Sequence, residues 1–441
     1  MHNMITNKLI NFFPRFELEA SRNLDFYLAL ITPFFIAGYF IALGVSSSLD
    51  NFFGVMLLVF GLILWLKYRR FDVPVEMKRI YIMGLLVFLM VVLHAVIGRD
   101  IEMLFKFQFE NLRNLLLLPF LALLLVTVNL NAQGVWRLIV ITGLYTLVFS
   151  ILILIEDPVR GEGLLRKAIV IGNLGMLFAL ASLVAFFGIK GKFWKALALL
   201  VFFSGFLLSV LTQTRAGWVA FLIAVVLLAW TFWQVNRRNF YILMGCFVAL
   251  SVLLIIFWSH LPIEQRILQA VNDISLYNDG FSNTSVGQRF DMWVIAFHAF
   301  LEKPIFGWGV TPFKETFFVF LERDLVNYQI PADGGGFAQP HNDYIFLLYH
   351  FGLVGFLMAM SIVIYPGYLF IKHINKYKKT NHEQAYIALT GLVVIEALLD
   401  FMLFNLAMMN KIFYVAVIII FMILYATLKY DNLNSTNNCN T

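Results

Sequence analysis

Four side chains stand out as able to do chemistry: His341, Arg113, Arg215 and Arg289. An imidazole takes or gives a proton near neutral pH, and a guanidinium offers a fixed pair of donors to a phosphate. Arg215 stands in Leu211-Thr212-Gln213-Thr214-Arg215-Ala216-Gly217-Trp218, a tight turn between two apolar stretches. It is either a snorkelling cation at a helix end or half of an anion site. Arg289 follows Ser285-Val286-Gly287-Gln288 near the start of an expected amphipathic helix, where spare backbone donors also favour an anion. A solvated loop arginine is the plain alternative. Arg113 has Glu110 as a candidate partner one turn away.

His341 follows Pro340, a residue suited to the first turn of a helix. The positive end of the helix dipole disfavours the protonated ring there. A neutral imidazole could accept a proton from an attacking hydroxyl, donate to a bound phosphate, or serve only as an interfacial hydrogen-bonding group. Pro340 comes four residues after the triplet Gly334-Gly335-Gly336, so the histidine is expected on a loop that settles when substrate binds. Two acids, Glu396 and Asp400, lie four apart on one apolar helix face, as in a proton or ion pathway. Asp400 could equally pair with an arginine at the helix end. His94 and His350 read as packing or interfacial residues.

These groups are set in an apolar chain. Of 441 residues, 61% are hydrophobic and 13% charged, which excludes an ordinary soluble domain. Windows of 18 or more apolar residues, long enough to cross roughly 30 Å of hydrocarbon, recur along it. About twelve spans are expected, near 26–46, 51–67, 80–98, 113–130, 135–155, 168–188, 193–211, 216–233, 240–258, 343–370, 385–405 and 411–428. The fold class is an all-α polytopic membrane protein. The first span follows a polar leader and reads as a retained helix.

The formal charge of +6 does not point to nucleic acid, because Lys and Arg fall in short blocks between spans. Lys67, Arg69, Arg70, Lys78 and Arg79 fill the second loop; Lys190, Lys192 and Lys195 fill the sixth. Arg237 and Arg238 occupy the eighth, with Lys372, Lys376, Lys378 and Lys379 in the tenth. The positive-inside rule then puts both termini in the cytoplasm and the odd loops outside. Cys246 and Cys439 form no framework and show no metal-ligand spacing.

Three segments follow: spans one to nine over 1–258, a long outer loop over 259–342, and spans ten to twelve with a short tail over 343–441. Met292, Ile295, Ala296, Ala299 and Phe300 recur at helical spacing in the loop, predicting amphipathic helices lying on the bundle. A transporter coupled through Glu396 and Asp400 would predict symmetric halves, and no such repeat is present.

The run His341-Asn342-Asp343-Tyr344 through Gly352-Leu353-Val354-Gly355 resembles the signature of the O-antigen ligase/polymerase superfamily. Pro304-Ile305-Phe306-Gly307-Trp308-Gly309 resembles its Pro-x-x-Gly-x-Gly element, and Thr212-Gln213-Thr214-Arg215 its outer-face Thr-Arg element. The resemblance implies a metal- and cofactor-independent glycosyltransferase of the bacterial inner membrane, acting on the periplasmic side. The donor would be a glycan on undecaprenyl diphosphate and the acceptor a lipid A-core sugar. It implies His341, Arg215 and Arg289 as catalytic residues. Arg215 and Arg289 would hold the diphosphate, with Asn342, Gly307, Gly309 and Arg113 as further substrate contacts. Protein (pilin-type) O-oligosaccharyltransferases and O-antigen polymerases share these motifs. A chain that ends soon after the twelfth span favours the ligases.

Overall fold

The computed structural model describes residues 24–98, 113–156, 167–256, 263–328, 336–408 and 410–439. Among them every regular element is a helix, and eleven helices are long and apolar enough to cross a membrane. The protein is an all-α polytopic membrane protein. The first three helices are α1 (Leu24–Val45), α2 (Ser47–Tyr68) and α3 (Val75–Ile97).

The expected fourth span differs. Arg113–Leu117 form a tight 3-10 turn, and α4 (Leu118–Val128) has only 11 residues. Its start carries Pro119 and its end is Asn129 in the left-handed conformation, φ 56°. Those two boundaries hold it to about 17 Å, short of the bilayer's roughly 30 Å. The fifth expected span is α5 (Ala132–Gly143) and α6 (Tyr145–Glu156), one apolar stretch interrupted at Leu144.

Next come α7 (Ala168–Gly188), α8 (Lys192–Leu211), α9 (Arg215–Val235) and α10 (Arg237–Ile256). Three shorter helices, none long and apolar enough to span, follow: α11 (Ile263–Asn278), α12 (Gly287–Glu302) and α13 (Phe313–Leu321). The chain returns through α14 (Asp343–Tyr377), α15 (His382–Phe404) and α16 (Lys411–Cys439). Helix α7 is central, with 83% of its apolar window buried, whereas α10 is peripheral at 6%.

Contacts between distant loops sort the helix ends into two sets. Lys67 pairs with Asp25 at 2.7 Å, Lys190 with Glu383 at 2.7 Å, and Lys378 donates to Gln234 at 3.0 Å. These join loops expected on the basic side. At the other end Lys411 pairs with Asp50, Arg266 donates to Gln213, and the Met408 amide donates to Asp343. The segment of α11 to α13 has an aromatic core of its own. Phe313, Phe317 and Phe320 of α13 pack with Ile295 and Ala299 of α12, and Tyr349 of α14 joins them.

That docking explains one motif. Helix α14 is broken at Gly352 (φ 62°, ψ −166°), which frees carbonyls before the break and amides after it. The segment Pro304–Gly309 satisfies both sets. The amides of Trp308 and Gly309 donate to the carbonyls of Tyr349 and His350 at 2.9 and 2.7 Å. The amides of Leu353 and Val354 donate to the carbonyls of Pro304 and Ile305 at 2.8 and 3.2 Å. Backbones this close leave no room for a side chain: a Cβ on Gly307 would lie 2.5 Å from the His350 carbonyl carbon. Gly307 also needs the left-handed region, φ 73°.

Candidate functional site

His341 lies before α14 and not in its first turn, which corrects the expectation drawn from Pro340. The helix cap is Asn342, whose side-chain oxygen accepts from the Ile345 amide at 3.2 Å. His341 itself takes a left-handed backbone, φ 51°. Histidine is among the few residues found there, at a cost of about 1 kcal/mol or more. Both neighbours are anchored. The Pro340 carbonyl accepts from Trp293 Nε1 of α12 at 2.9 Å. Asp343, fully buried, accepts from the Met408 amide at 2.7 Å.

Arg289 sits one helical turn before Trp293 on α12, on the face turned toward His341. Burial lowers the His341 pKa, and the Arg289 guanidinium lowers it further. The ring is therefore neutral at pH 7 and able to accept a proton. The cause differs from the helix-dipole effect expected of a first-turn position. Nearby, burial raises the carboxyl of Asp291, against the hydroxyls of Ser282 and Tyr277.

Arg215 is the first residue of α9. The preceding turn is tight because Gln213 is left-handed (φ 56°) and the Thr212 and Thr214 hydroxyls are 2.9 Å apart. Gly172 of α7 lies against both hydroxyls, where any Cβ would collide. A second cation, Arg266, stands beside Arg215. Arg266 of α11 donates through Nε to Gln213 at 2.5 Å and through Nη1 to Gln269 at 2.7 Å. Arg215 Nη2 reaches the same Gln269 oxygen at 3.5 Å, the long limit for a hydrogen bond. A neutral carbonyl thus orients two guanidiniums without cancelling their charge. The i, i+3 spacing of Arg266 and Gln269 was visible in the chain, but its pairing with Gln213, 53 residues away, was not.

The two pairs, Arg215–Arg266 and Arg289–His341, lie along α11. From Gln269 to Tyr277 the helix rises about 12 Å. There the Tyr277 ring meets Phe290, the residue after Arg289, with centroids 5.1 Å apart. Gly307 and Gly309 are placed in the splice at the α14 break, and the oxygen of Asn342 is engaged in the helix cap. Arg113 begins the 3-10 turn, but its side chain lies outside the described residues, as do Glu110, Gly334 and Gly335. Tyr344 donates to the Leu399 carbonyl at 2.9 Å, which sets α14 beside the end of α15 that carries Asp400.

Residues 198–360 match the family described as O-antigen ligase. The match covers 163 of the 441 residues and supports membership in the O-antigen ligase/polymerase superfamily. The matched stretch runs from α8 through the first half of α14 and contains Arg215, Arg266, Arg289, His341 and the Gly352 splice. A protein of Haemophilus influenzae, described only as uncharacterized, is 28% identical over 226 residues. That similarity covers 50% of this chain and 55% of the relative, so the match spans about half the length of each. Members of the superfamily are membrane ligases and polymerases of glycosyltransferase type.

Proposed function

We propose that this protein transfers a glycan from undecaprenyl diphosphate to a sugar of the lipid A core at the periplasmic face of the bacterial inner membrane. The observation that carries the reading is the setting of Arg289 against a neutral, half-buried His341, with the arginine pair Arg215–Arg266 farther along the same helix. The acceptor hydroxyl attacks the anomeric carbon and its proton passes to the His341 imidazole. The bond from that carbon to the diphosphate oxygen breaks, and negative charge builds on the leaving group. In this reading Arg289, Arg215 and Arg266 stabilise that charge as donors oriented beforehand, so little reorganisation is needed in the transition state.

Arg289 next to His341 serves both halves of the reaction. Before substrate binds, burial and, to a lesser degree, the Arg289 charge favour the deprotonated imidazole. Once a diphosphate anion is bound, that charge is balanced and the imidazolium formed on attack is no longer opposed. The proton held by His341 then passes to the departing diphosphate or to solvent, which returns the imidazole to its neutral form.

The test is transfer of a labelled glycan from undecaprenyl diphosphate to lipid A-core in proteoliposomes containing the full chain. Transfer that disappears in Arg215→Ala and in His341→Ala, with both variants folded, supports the reading. Transfer that survives both changes overturns the site. Transfer to pilin or to a second donor glycan instead of lipid A-core would reassign the acceptor within the superfamily.

A further inference from the structure

A cluster of cations on the basic side of the bundle takes no part in the candidate site. The turn from α9 into α10 and the end of α14 form a cavity of about 390 Å³ there. Trp233, Gln234 and Arg237 line one wall, Lys378 and Lys379 the other. Gln234 also lines a second cavity, of about 200 Å³, that continues back along α9. Leu227 and Trp230 of α9, Ile371 of α14 and Leu392 of α15 line this cleft. It lies between α9 and α14 because both helices pack on α15.

Other lysines on this side are neutralised: Lys67, Lys190 and Lys376 are each ion-paired with a carboxylate. Among the described residues no carboxylate pairs with Arg237, Lys378 or Lys379. The contacts that orient them are neutral. Lys378 Nζ donates to Gln234 at 3.0 Å and to Asn375 at 3.1 Å, which holds the ammonium where the two cavities meet and leaves its third N–H. The Arg237 guanidinium lies over the Trp233 ring, 4.6 Å from its centroid, and meets no opposing charge there.

We propose that the joined cavities bind an anionic phospholipid, with its phosphate between Arg237, Lys378 and Lys379 and one acyl chain in the cleft between α9 and α14. Charge complementarity selects the head, since a phosphate supplies the negative charge that this wall lacks. Depth selects the tail. Trp230 and Trp233 stand 69% and 46% exposed on α9, as aromatic rings do where a spanning helix passes from hydrocarbon to headgroups. From Gln234 to Leu227 the cleft runs about 10 Å toward the middle of the bilayer. Lysines that only set orientation need neither a cavity between them nor an apolar cleft beside it. In the orientation expected from the lysine blocks this end meets the cytoplasmic leaflet, whose anionic lipids seat in basic pockets between helices.

Helix α9 begins at Arg215 and α14 is capped by Asn342, so the lipid lies at the far ends of two helices that frame the candidate site. Its binding does not rest on the glycan-transfer reading.

Native mass spectrometry of the full chain, purified in detergent and titrated with dioleoyl phosphatidylglycerol or dioleoyl phosphatidylcholine, tests this. One phosphatidylglycerol is expected to be retained in preference to phosphatidylcholine. K378Q/K379Q should weaken its retention at least ~10-fold, about 1.4 kcal/mol, and leave phosphatidylcholine unchanged. Arg237→Gln probes the opposite wall should the double variant fold poorly. K192Q/K195Q removes two charges from the same side but from neither cavity, and should keep the preference. Ile371→Trp fills the cleft from a half-exposed position and should weaken phosphatidylglycerol retention, while inorganic phosphate should not displace the lipid. Equal retention of the two lipids by wild type, or an equal loss in K192Q/K195Q and K378Q/K379Q, overturns the proposal as general surface charge. Retention untouched by Ile371→Trp, or displacement by inorganic phosphate at the same concentration, overturns it as an anion contact without a bound chain. No readout involves glycan transfer, so failure here and failure of the transfer reading are separate results.

Discussion

Arg289→Gln separates two effects of one guanidinium. Burial and Arg289 together hold the His341 pKa below its ordinary value, and in the proposed reaction the same arginine faces the leaving diphosphate. Near pH 7.5 the imidazole is neutral with or without Arg289. The loss measured there reports on the leaving group alone and should be about 100-fold in kcat/KM, the usual effect of removing one preorganised donor. Near pH 5.5 a second loss appears, because removing the cation lets the His341 pKa rise toward the ordinary value of about 6.5. A histidine at that value is about nine-tenths protonated at pH 5.5, so the extra loss is bounded at roughly tenfold. Burial, the larger cause, persists in the variant and keeps the loss inside that bound. The acid limb of the kcat/KM profile should thus move to higher pH. Initial rates of labelled-glycan transfer in proteoliposomes, taken from about pH 5 to 8, measure it. An acid limb that stays where wild type has it would show that Arg289 does not act on His341, whatever happens to the rate at neutral pH.

Three further changes probe the frame around the site. Gly352→Ala combines a left-handed φ with a Cβ driven into the Ile305 carbonyl. It should destabilise the protein by about 2–4 kcal/mol, read as a lower unfolding temperature in detergent. Arg266→Lys keeps the charge but cannot reach Gln213 and Gln269 at once, so transfer should fall nearly as far as in Arg266→Ala, with KM for the donor rising. Full activity in the lysine variant would reduce Arg266 to a point charge. Lys411→Met leaves Asp50 buried without its cation and should cost about 3–5 kcal/mol in thermal unfolding, most of it recovered in D50N/K411M.

The alternation of lysine blocks with apolar windows made the bundle legible, because bilayer thickness and loop charge act on each segment separately. The same local physics made α12 legible from Met292, Ile295, Ala296 and Ala299, all buried in the structure. What stayed hidden depends on pairs distant in the chain. Residues 343–370 read as one helix because nothing local demands a break. Gly352 departs from helical geometry only because Pro304–Gly309 supplies the hydrogen bonds the break frees. Gly307 and Gly309, read as substrate contacts, therefore have a backbone reason to be glycine. Arg266 looked like any loop cation until Gln213 came against it. The shortness of α4 was written in Pro119 and Asn129, but both sit inside a window apolar enough to pass for a full span.

The loop position of His341 suggested a side chain that finds its place only with substrate, and its surroundings argue otherwise. Three residues flanking His341 are tied to three different elements. Pro340 is held by Trp293 of α12, Asn342 closes the first turn of α14, and Asp343 binds the turn between α15 and α16. A single anchor would let the strained backbone at His341 relax to an ordinary φ. Anchors on both sides leave it none, so the left-handed conformation is set by the fold before any ligand arrives. The face of α12 that donates from Trp293 also carries Arg289, so the bond that fixes Pro340 sets the distance between guanidinium and imidazole as well. His341 and Arg289 are thus positioned by one contact, and a change that loosens Trp293 should disturb both together.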